Sequence, residues 1–218
     1  MKKKLVELPV DKEVNHHLQD MLTQAVTCLQ GGGIVAFPTE TYYGLAADPF
    51  NEEALLALFR LKARDIRKPI LVLIGEMRQL EEIADSIPDL YRPLMKDFWP
   101  GPLTLIFPGR KNLSPLLTGG TDTVGVRISS NTIAAELCRR WGHPLTATSA
   151  NISGMPPAIC TDDVKAIFGS AIDCIVDGGC TPAMRCSTIV GIRQSCLQLF
   201  REGQVEFPLI VQSLGTVE

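Results

Sequence analysis

The chain has 218 residues, of which 45% are hydrophobic, which is enough for one globular domain with a full core and leaves little room for a second. Its formal net charge of −3 argues against bulk binding to nucleic acid, so any cationic binding surface must be local. No apolar run approaches the roughly 20 residues that span a bilayer, and the run over 5–10 is broken by Glu7 and Pro9, so we expect a cytoplasmic protein without a signal peptide or membrane association.

The hydrophobic pattern predicts helices and strands that alternate along the chain. Apolar residues at helical spacing, with Asn51 and Thr161 as candidate N-caps, predict helices over 15–30, 51–62, 77–84, 90–98, 132–141 and 161–168. Short apolar runs predict strands over 34–37, 70–74, 103–107, 124–128, 145–147, 172–176, 188–192 and 197–200. Several of these strands are joined by loops too short for a crossover helix. We therefore expect a single α/β domain with a twisted mixed β-sheet and flanking helices.

The cysteines are seven in number, and no two of them have Cys-x-x-Cys spacing. An odd count without that spacing argues against a disulfide framework and against a structural zinc site. We expect most of these cysteines to be small buried hydrophobic residues.

Four polar segments follow apolar strands or helices, where loops often present functional groups: 38–45, 62–69, 119–127 and 146–157. The first and fourth are rich in hydroxyl side chains, and each could hold a polar ligand or be a simple turn. In the second, Lys62, Arg64 and two further cations could bind phosphate, although a solvated helix end is the alternative. In the third, Arg127 lies in an apolar strand and needs an anion, which a ligand or a structural salt bridge could supply.

Seven short motifs occur in an order and spacing that together are specific. They are 37–45, Lys62-x-Arg64, 98–104, 122–127, Ser149-Ala-Asn151, 187–190 and 201–203. With them the chain resembles the YrdC-like family of threonylcarbamoyl-adenylate synthases from about Leu22 to Gly203. The resemblance implies a twisted α/β fold with a concave, positively charged face. It also implies a YrdC-like domain over 15–206, with an N-terminal extension over 1–14 and a C-terminal tail over 207–218.

The resemblance also implies the roles of individual residues. The residues needed for activity would be Lys62, Arg64 and Ser149. The residues that bind ATP would be those three together with Lys68, Thr123, Asn151 and Arg201. The residues that hold threonine would be Thr41, Arg127 and one of Ser187 or Thr188. The sequence departs from the family pattern at Lys68, where the family often has Asn, and at Leu73-Ile74, where it has His.

The implied reaction joins L-threonine, bicarbonate and ATP into threonylcarbamoyl-adenylate, with Mg²⁺ carried by the ATP and no metal site formed by the protein. The adenylate would pass to the threonylcarbamoyl-transferase machinery that modifies tRNA, and weak binding of tRNA itself is possible. The chain ends soon after Gly203, which suggests the short, single-domain form. Two alternatives are a carbamoyl-transfer domain of a hydrogenase-maturation protein and a double-stranded RNA or tRNA-binding module without catalysis. The absence of Cys-x-x-Cys pairs argues against the first, and the net charge with few aromatic residues argues against the second.

Overall fold

The computed structural model describes residues 12–182 and 185–215, with side chains from residue 16 onward, and shows helices packed on two mixed β-sheets. The helices α1 to α8 are Lys12–Gln30, Glu52–Leu61, Leu80–Ile83, Tyr91–Phe98, Pro115–Thr118, Thr132–Trp141, Thr161–Phe168 and Phe207–Ser213. The strands β1 to β10 are Val35–Phe37, Gly44–Ala46, Val72–Leu73, Leu103–Pro108, Thr123–Arg127, Leu145–Thr146, Thr148–Ser149, Cys174–Ile175, Thr188–Arg193 and Cys196–Arg201.

The strands are divided between a four-stranded sheet of order β7-β2-β1-β8 and a six-stranded sheet of order β10-β9-β4-β5-β3-β6. Parallel pairs join β1 to β8, β3 to β5 and β4 to β9, and the other pairs are antiparallel. The predicted mixed α/β architecture with flanking helices is therefore confirmed. The expectation of one sheet was wrong, because β2 and β7 are too short to leave a periodic signal and they complete a second sheet around β1.

Helix boundaries follow from local hydrogen bonding. The side chain of Asn51 accepts hydrogen bonds from the amides of Glu53 (3.0 Å) and Ala54 (3.2 Å), so the predicted N-cap of α2 is confirmed. The predicted cap of α7 was wrong: Cys160 holds the N-cap position without a side-chain cap bond, and Thr161 is the first helical residue. No described helix combines the length and the apolar character needed to cross a bilayer.

The core has two parts, one on each side of β1. Val35 and Phe37 pack with α1 and α6, whereas Ala36 faces the larger cluster that includes α2 and the six-stranded sheet. Because successive side chains of a strand point to opposite faces, β1 is buried on both sides. This arrangement fixes the position of the loop that leaves β1 at residue 38.

The segment 207–218, expected as a tail, contains α8 in its described part. Ile210 of α8 is fully buried in the larger core cluster, and the hydroxyl of Ser213 donates to Asp97 at the end of α4 (2.6 Å). The expected extension 1–14 lies outside the described residues up to residue 11, and α1 begins at Lys12.

The cysteines are less buried than expected. Only Cys138 is buried among the described residues; Cys180 and Cys196 are exposed and the other four are partly buried. The expectation of mostly buried thiols was therefore wrong, because several of these cysteines lie in loops and at sheet edges, where the core does not reach.

Candidate active site

A cavity of about 390 Å³ is lined by residues of both sheets and of the loop that leaves β1. The predicted site residues that line it are Thr41, Arg64, Lys68, Thr123, Arg127, Ser149, Ser187 and Arg201. Of the residues that the structure describes around this cavity, four are cationic and none is Asp or Glu. A concave site with converging cations is suited to an anionic ligand.

Arg64 is presented by a reversal of the chain at the end of α2. Ala63 adopts a left-handed conformation (φ 46°), and the Arg64 amide donates to the carbonyl of Phe59 (3.0 Å). Nη2 of Arg64 donates to the Pro69 carbonyl (2.9 Å), whereas its buried Nε has no hydrogen-bond partner among the residues that the structure describes. Burial, and then the charge of Arg201, lower the pKa of Arg64. An anion near both guanidinium groups would offset their repulsion and could supply the missing partner.

Lys62 lies behind the cavity lining. It is only 1% exposed, and its Nζ donates to the Ser149 carbonyl, the Asn151 carbonyl (2.8 Å) and Asn151 Oδ1 (3.0 Å). Burial, and then the charge of Arg64, lower its pKa to about 7. Because a buried ammonium is costly, the three oxygen acceptors are what makes this position tolerable. The structure thus places Lys62 beneath the 149–151 loop and outside the described lining of the cavity, and its contact with a phosphate stays a prediction.

Asn151 belongs to the same network. Its Oδ1 also accepts from the Ser149 hydroxyl (2.8 Å), and its Nδ2 donates to the Met155 carbonyl (2.5 Å). Neither Asn151 nor Lys62 is among the described residues that line the cavity. Both hold Ser149, which does line it, in a fixed position.

Arg127 forms a buried ion pair with a residue of its own chain. Its Nη1 donates to Glu40 Oε1, and the Ser129 hydroxyl donates to Glu40 Oε2. Burial, and then the charge of Arg201, lower the pKa of Arg127 to about 10, so it remains cationic at neutral pH. The salt bridge left open as an alternative is therefore present, and Arg127 still lines the cavity.

Ser187 and Thr188 have different surroundings. The Ser187 carbonyl and hydroxyl accept hydrogen bonds from Arg201 (2.9–3.1 Å), and its hydroxyl is 2.9 Å from that of Thr104. Thr188 is fully buried and bonds to the backbone of Val205 through its hydroxyl (2.6 Å to the carbonyl). Ser187 lines the cavity, and Thr188 is not among the described residues that do.

The remaining predicted residues are placed by short polar contacts. The hydroxyls of Thr39 and Thr41 are 2.9 Å apart in the loop after β1, and the hydroxyl of Thr123 is 2.8 Å from that of Thr121. Lys68 is an exposed residue of the lining. Arg67, the fourth cation of that cluster, pairs with Asp65 (2.7 Å) and is not part of the described lining.

Part of the cavity is apolar and was not predicted from the sequence; it is formed by Leu71, Ile106 and Phe200 and is called the apolar floor below. In the pairing of β10 with β9, Leu199 is opposite Val190 and Arg201 is opposite Ile189. Phe200 is thus an extra residue in a β-bulge, which explains why two successive side chains both reach the cavity.

The Phe200 ring lies close over Gly191 of β9. A Cβ on Gly191 would be 2.8 Å from Phe200 Cε2, so a larger residue at this position would displace the ring. The ring remains 57% exposed. An exposed aromatic ring at a cationic cavity is suited to stack on a flat ligand group. In the sequence, the only indication of this apolar surface is that Phe200 precedes Arg201, and that does not reveal a bulge.

Comparison with known proteins gives consistent relatives. The family model Sua5_yciO_yrdC, described as "Telomere recombination", matches residues 27–203. The threonylcarbamoyl-AMP synthase of Pyrococcus abyssi is 38% identical over 87% of this chain and 56% of its own length. That of Coxiella burnetii is 37% identical over 75% of this chain and 88% of its own length. The structure of P. abyssi Sua5 complexed with L-threonine superposes with a TM-score of 0.86 at 38% identity, over 89% of this chain and 57% of that one. The chain therefore spans little more than half the length of the P. abyssi relative.

Proposed function

The chain belongs to the Sua5/YciO/YrdC family, and from that premise we propose that it condenses L-threonine, bicarbonate and ATP to threonylcarbamoyl-adenylate and pyrophosphate. The observation that carries the proposal is the cavity, in which Arg64, Lys68, Arg127 and Arg201 converge beside hydroxyl groups and an apolar floor. The product adenylate has a part that suits each of these features: a phosphate for the cations, a polar amino acid for the hydroxyl groups and a flat base for the apolar floor.

ATP is proposed to bind with its phosphates at Arg64 and Arg201 and its adenine on the apolar floor. The unpartnered Nε of Arg64 supports this placement of the phosphates. Mg²⁺ is proposed to enter with ATP as part of the substrate, because no carboxylate occurs in the described lining of the cavity. The described residues would thus contact phosphate oxygens rather than the metal ion.

Threonine is proposed to bind near Thr41, Arg127 and Ser187, which line the same cavity. The P. abyssi relative was determined as a complex with L-threonine, which supports an amino-acid site in this fold. Arg127 would face the threonine carboxylate while it keeps its bond to Glu40. The two substrates would then lie side by side in one cavity.

The proposed reaction begins with addition of the threonine amine to CO2 derived from bicarbonate. A carbamate oxygen then forms a bond to the α-phosphorus of ATP, and the bond from that phosphorus to the leaving pyrophosphate oxygen breaks. Because no covalent enzyme intermediate is involved, the protein contributes by positioning the reactants and by stabilising phosphate charge. The adenylate is proposed to pass in the cytoplasm to the threonylcarbamoyl-transferase machinery.

The first experiment is to incubate the protein with MgATP, threonine and bicarbonate and to measure pyrophosphate and the adenylate. We expect both products only when all three substrates are present. Release of pyrophosphate that is indifferent to threonine and bicarbonate would contradict the proposal. Salt-dependent RNA binding without ATP turnover would instead favour the non-catalytic RNA-binding alternative.

Arg127→Met is expected to raise the KM for threonine at least tenfold and to leave the KM for ATP within about threefold, because a guanidinium is the best carboxylate partner in the cavity. It is also expected to lower the free energy of unfolding by about 3–5 kcal/mol, since Glu40 would lose its buried partner. Steady-state kinetics and urea denaturation measure the two effects. In the double variant Arg127→Met/Glu40→Gln, stability should largely return and threonine binding should not. Recovery of threonine binding in the double variant would count against the assignment.

Phe200→Ala is expected to raise the KM for ATP about tenfold without changing the KM for threonine, because stacking of a base on an aromatic ring contributes about 1–3 kcal/mol. Phe200→Trp should retain ATP binding. Phe50→Ala is the matched control, since Phe50 is 44% exposed and outside the described lining. An equal rise in both KM values would show that Phe200 does not contact the adenine selectively.

A further inference from the structure

Two short segments, 159–161 and 179–181, are in contact. The Thr181 amide donates to the Ile159 carbonyl (2.7 Å). At the other end of the two segments, Tyr43 connects them: its hydroxyl donates to the Gly179 carbonyl (2.8 Å) and is 3.2 Å from the Thr161 hydroxyl. The residues that flank Cys160 and Cys180 are therefore joined, 159 to 181 directly and 161 to 179 through the Tyr43 hydroxyl.

Cys160 and Cys180 are the middle residues of these segments, and their thiols are close enough to interact. Cys160 has extended backbone angles (φ −144°, ψ 170°). A disulfide joins residues whose Cα atoms are about 4.4–6.8 Å apart, so the cross-link requires the two backbones to lie within that range. Cys180 is exposed and Cys160 is partly buried, so solvent reaches the pair.

We propose that Cys160 and Cys180 form a thiol modification site that closes to an intramolecular disulfide by exchange with a low-molecular-weight disulfide. The Cys180 thiolate attacks one sulfur of the small disulfide, and a mixed disulfide forms as one small thiolate leaves. The Cys160 thiolate then attacks Cys180 Sγ and releases the second small thiolate. The two cysteines are oxidised by two electrons, the small disulfide is reduced to two thiols, and the two cysteine protons end on those thiols.

The charges around the two cysteines affect the rate of the proposed exchange. Cys160 first, and also the carboxylates of Asp163 and Asp162, raise the pKa of Cys180. A smaller thiolate fraction makes the first attack slower than that of an ordinary exposed thiol.

The cross-link would lie at a junction of the segments that form the cavity. Tyr43 donates its amide to the Ala158 carbonyl (3.0 Å) and accepts from the Ala150 amide (2.8 Å), next to Ser149. Neither Cys160 nor Cys180 is in the described lining of the cavity. The disulfide should therefore stabilise the protein, by constraining the unfolded chain between the two cysteines, without blocking the cavity.

The test uses the full chain, fully reduced and then incubated with glutathione disulfide. Mass spectrometry of unreduced peptides should show a link between Cys160 and Cys180, and Tm should rise by roughly 5–10 °C over the reduced protein. Cys160→Ser and Cys180→Ser should each abolish the link and the rise. Cys196→Ser is the matched control, because Cys196 is exposed elsewhere, on β10, and it should retain both effects.

Three outcomes would overturn the proposal. The first is a stable mixed disulfide on Cys180 with no cross-link. The second is a link confined to Cys28 and Cys174, whose thiols are also close enough to interact. The third is a rise in Tm that persists in both Cys160→Ser and Cys180→Ser. None of these outcomes depends on the proposed synthase activity.

Discussion

Arg64→Ala is expected to lower kcat/KM for ATP by about 10²–10³-fold while it changes the free energy of unfolding by about 1 kcal/mol or less. The loss of activity follows from removing a charge that faces the transferring phosphate. The small effect on stability follows from its contacts: among the described residues the Arg64 side chain donates one hydrogen bond, to the Pro69 carbonyl, and its Nε has no partner. Steady-state pyrophosphate release beside a urea titration measures both quantities.

Two further variants separate charge from geometry at this position. Arg64→Lys should recover only part of the activity, because an ammonium cannot make a two-pronged contact with phosphate. Arg67→Ala is the matched control: Arg67 is three residues away, highly exposed and paired with Asp65 outside the described lining. Near-normal activity of Arg64→Ala, or an equal loss in Arg67→Ala, would contradict the assignment. The cations of segment 62–69 would then be interpreted as a solvated helix end.

The fold could be predicted from sequence where local rules decide the structure. Asn51 caps α2 as expected, because its side chain accepts from free amides of the first turn and the two acidic residues that follow favour the helix N-terminus. The predicted helix Thr132–Trp141 is also confirmed. The division into two sheets was not predictable in this way, because it depends on two-residue and three-residue strands such as β7 and β2, whose pairing is decided by distant residues.

Within the candidate site, the linear motifs located the right segments but not the direction of each side chain. Lys62 and Arg64 are two residues apart, yet the left-handed backbone at Ala63 lies between them, and only Arg64 is in the described lining. In the same way, Thr188 faces Val205 while its neighbour Ser187 faces the cavity. A sequence motif records the residue types and their spacing, whereas the local backbone conformation decides which of them can meet a ligand.

The apolar floor shows the converse case. Alternation along β10 would place Phe200 and Arg201 on opposite faces, so the pattern gives no reason to expect both in one cavity. The bulge at Phe200 changes that geometry, and Gly191 on β9 leaves space for the ring. Such a feature depends on a cross-strand partner about ten residues away.

Lys62→Met is expected to lower both stability and activity, unlike Arg64→Ala. The variant would leave the carbonyls of Ser149 and Asn151 and the side chain of Asn151 without their buried donor, which should cost about 3 kcal/mol of the free energy of unfolding. Because these bonds fix the loop that presents Ser149, kcat should fall about 10²-fold from misplacement alone. Urea denaturation and pyrophosphate release measure the two losses. Arg60→Met is the control, since Arg60 is an exposed cation in the last turn of α2, whose C-cap is Lys62. If Lys62→Met lost activity at unchanged stability, Lys62 would act on the phosphate directly, as the motif alone predicts, and its network with the 149–151 loop would be incidental.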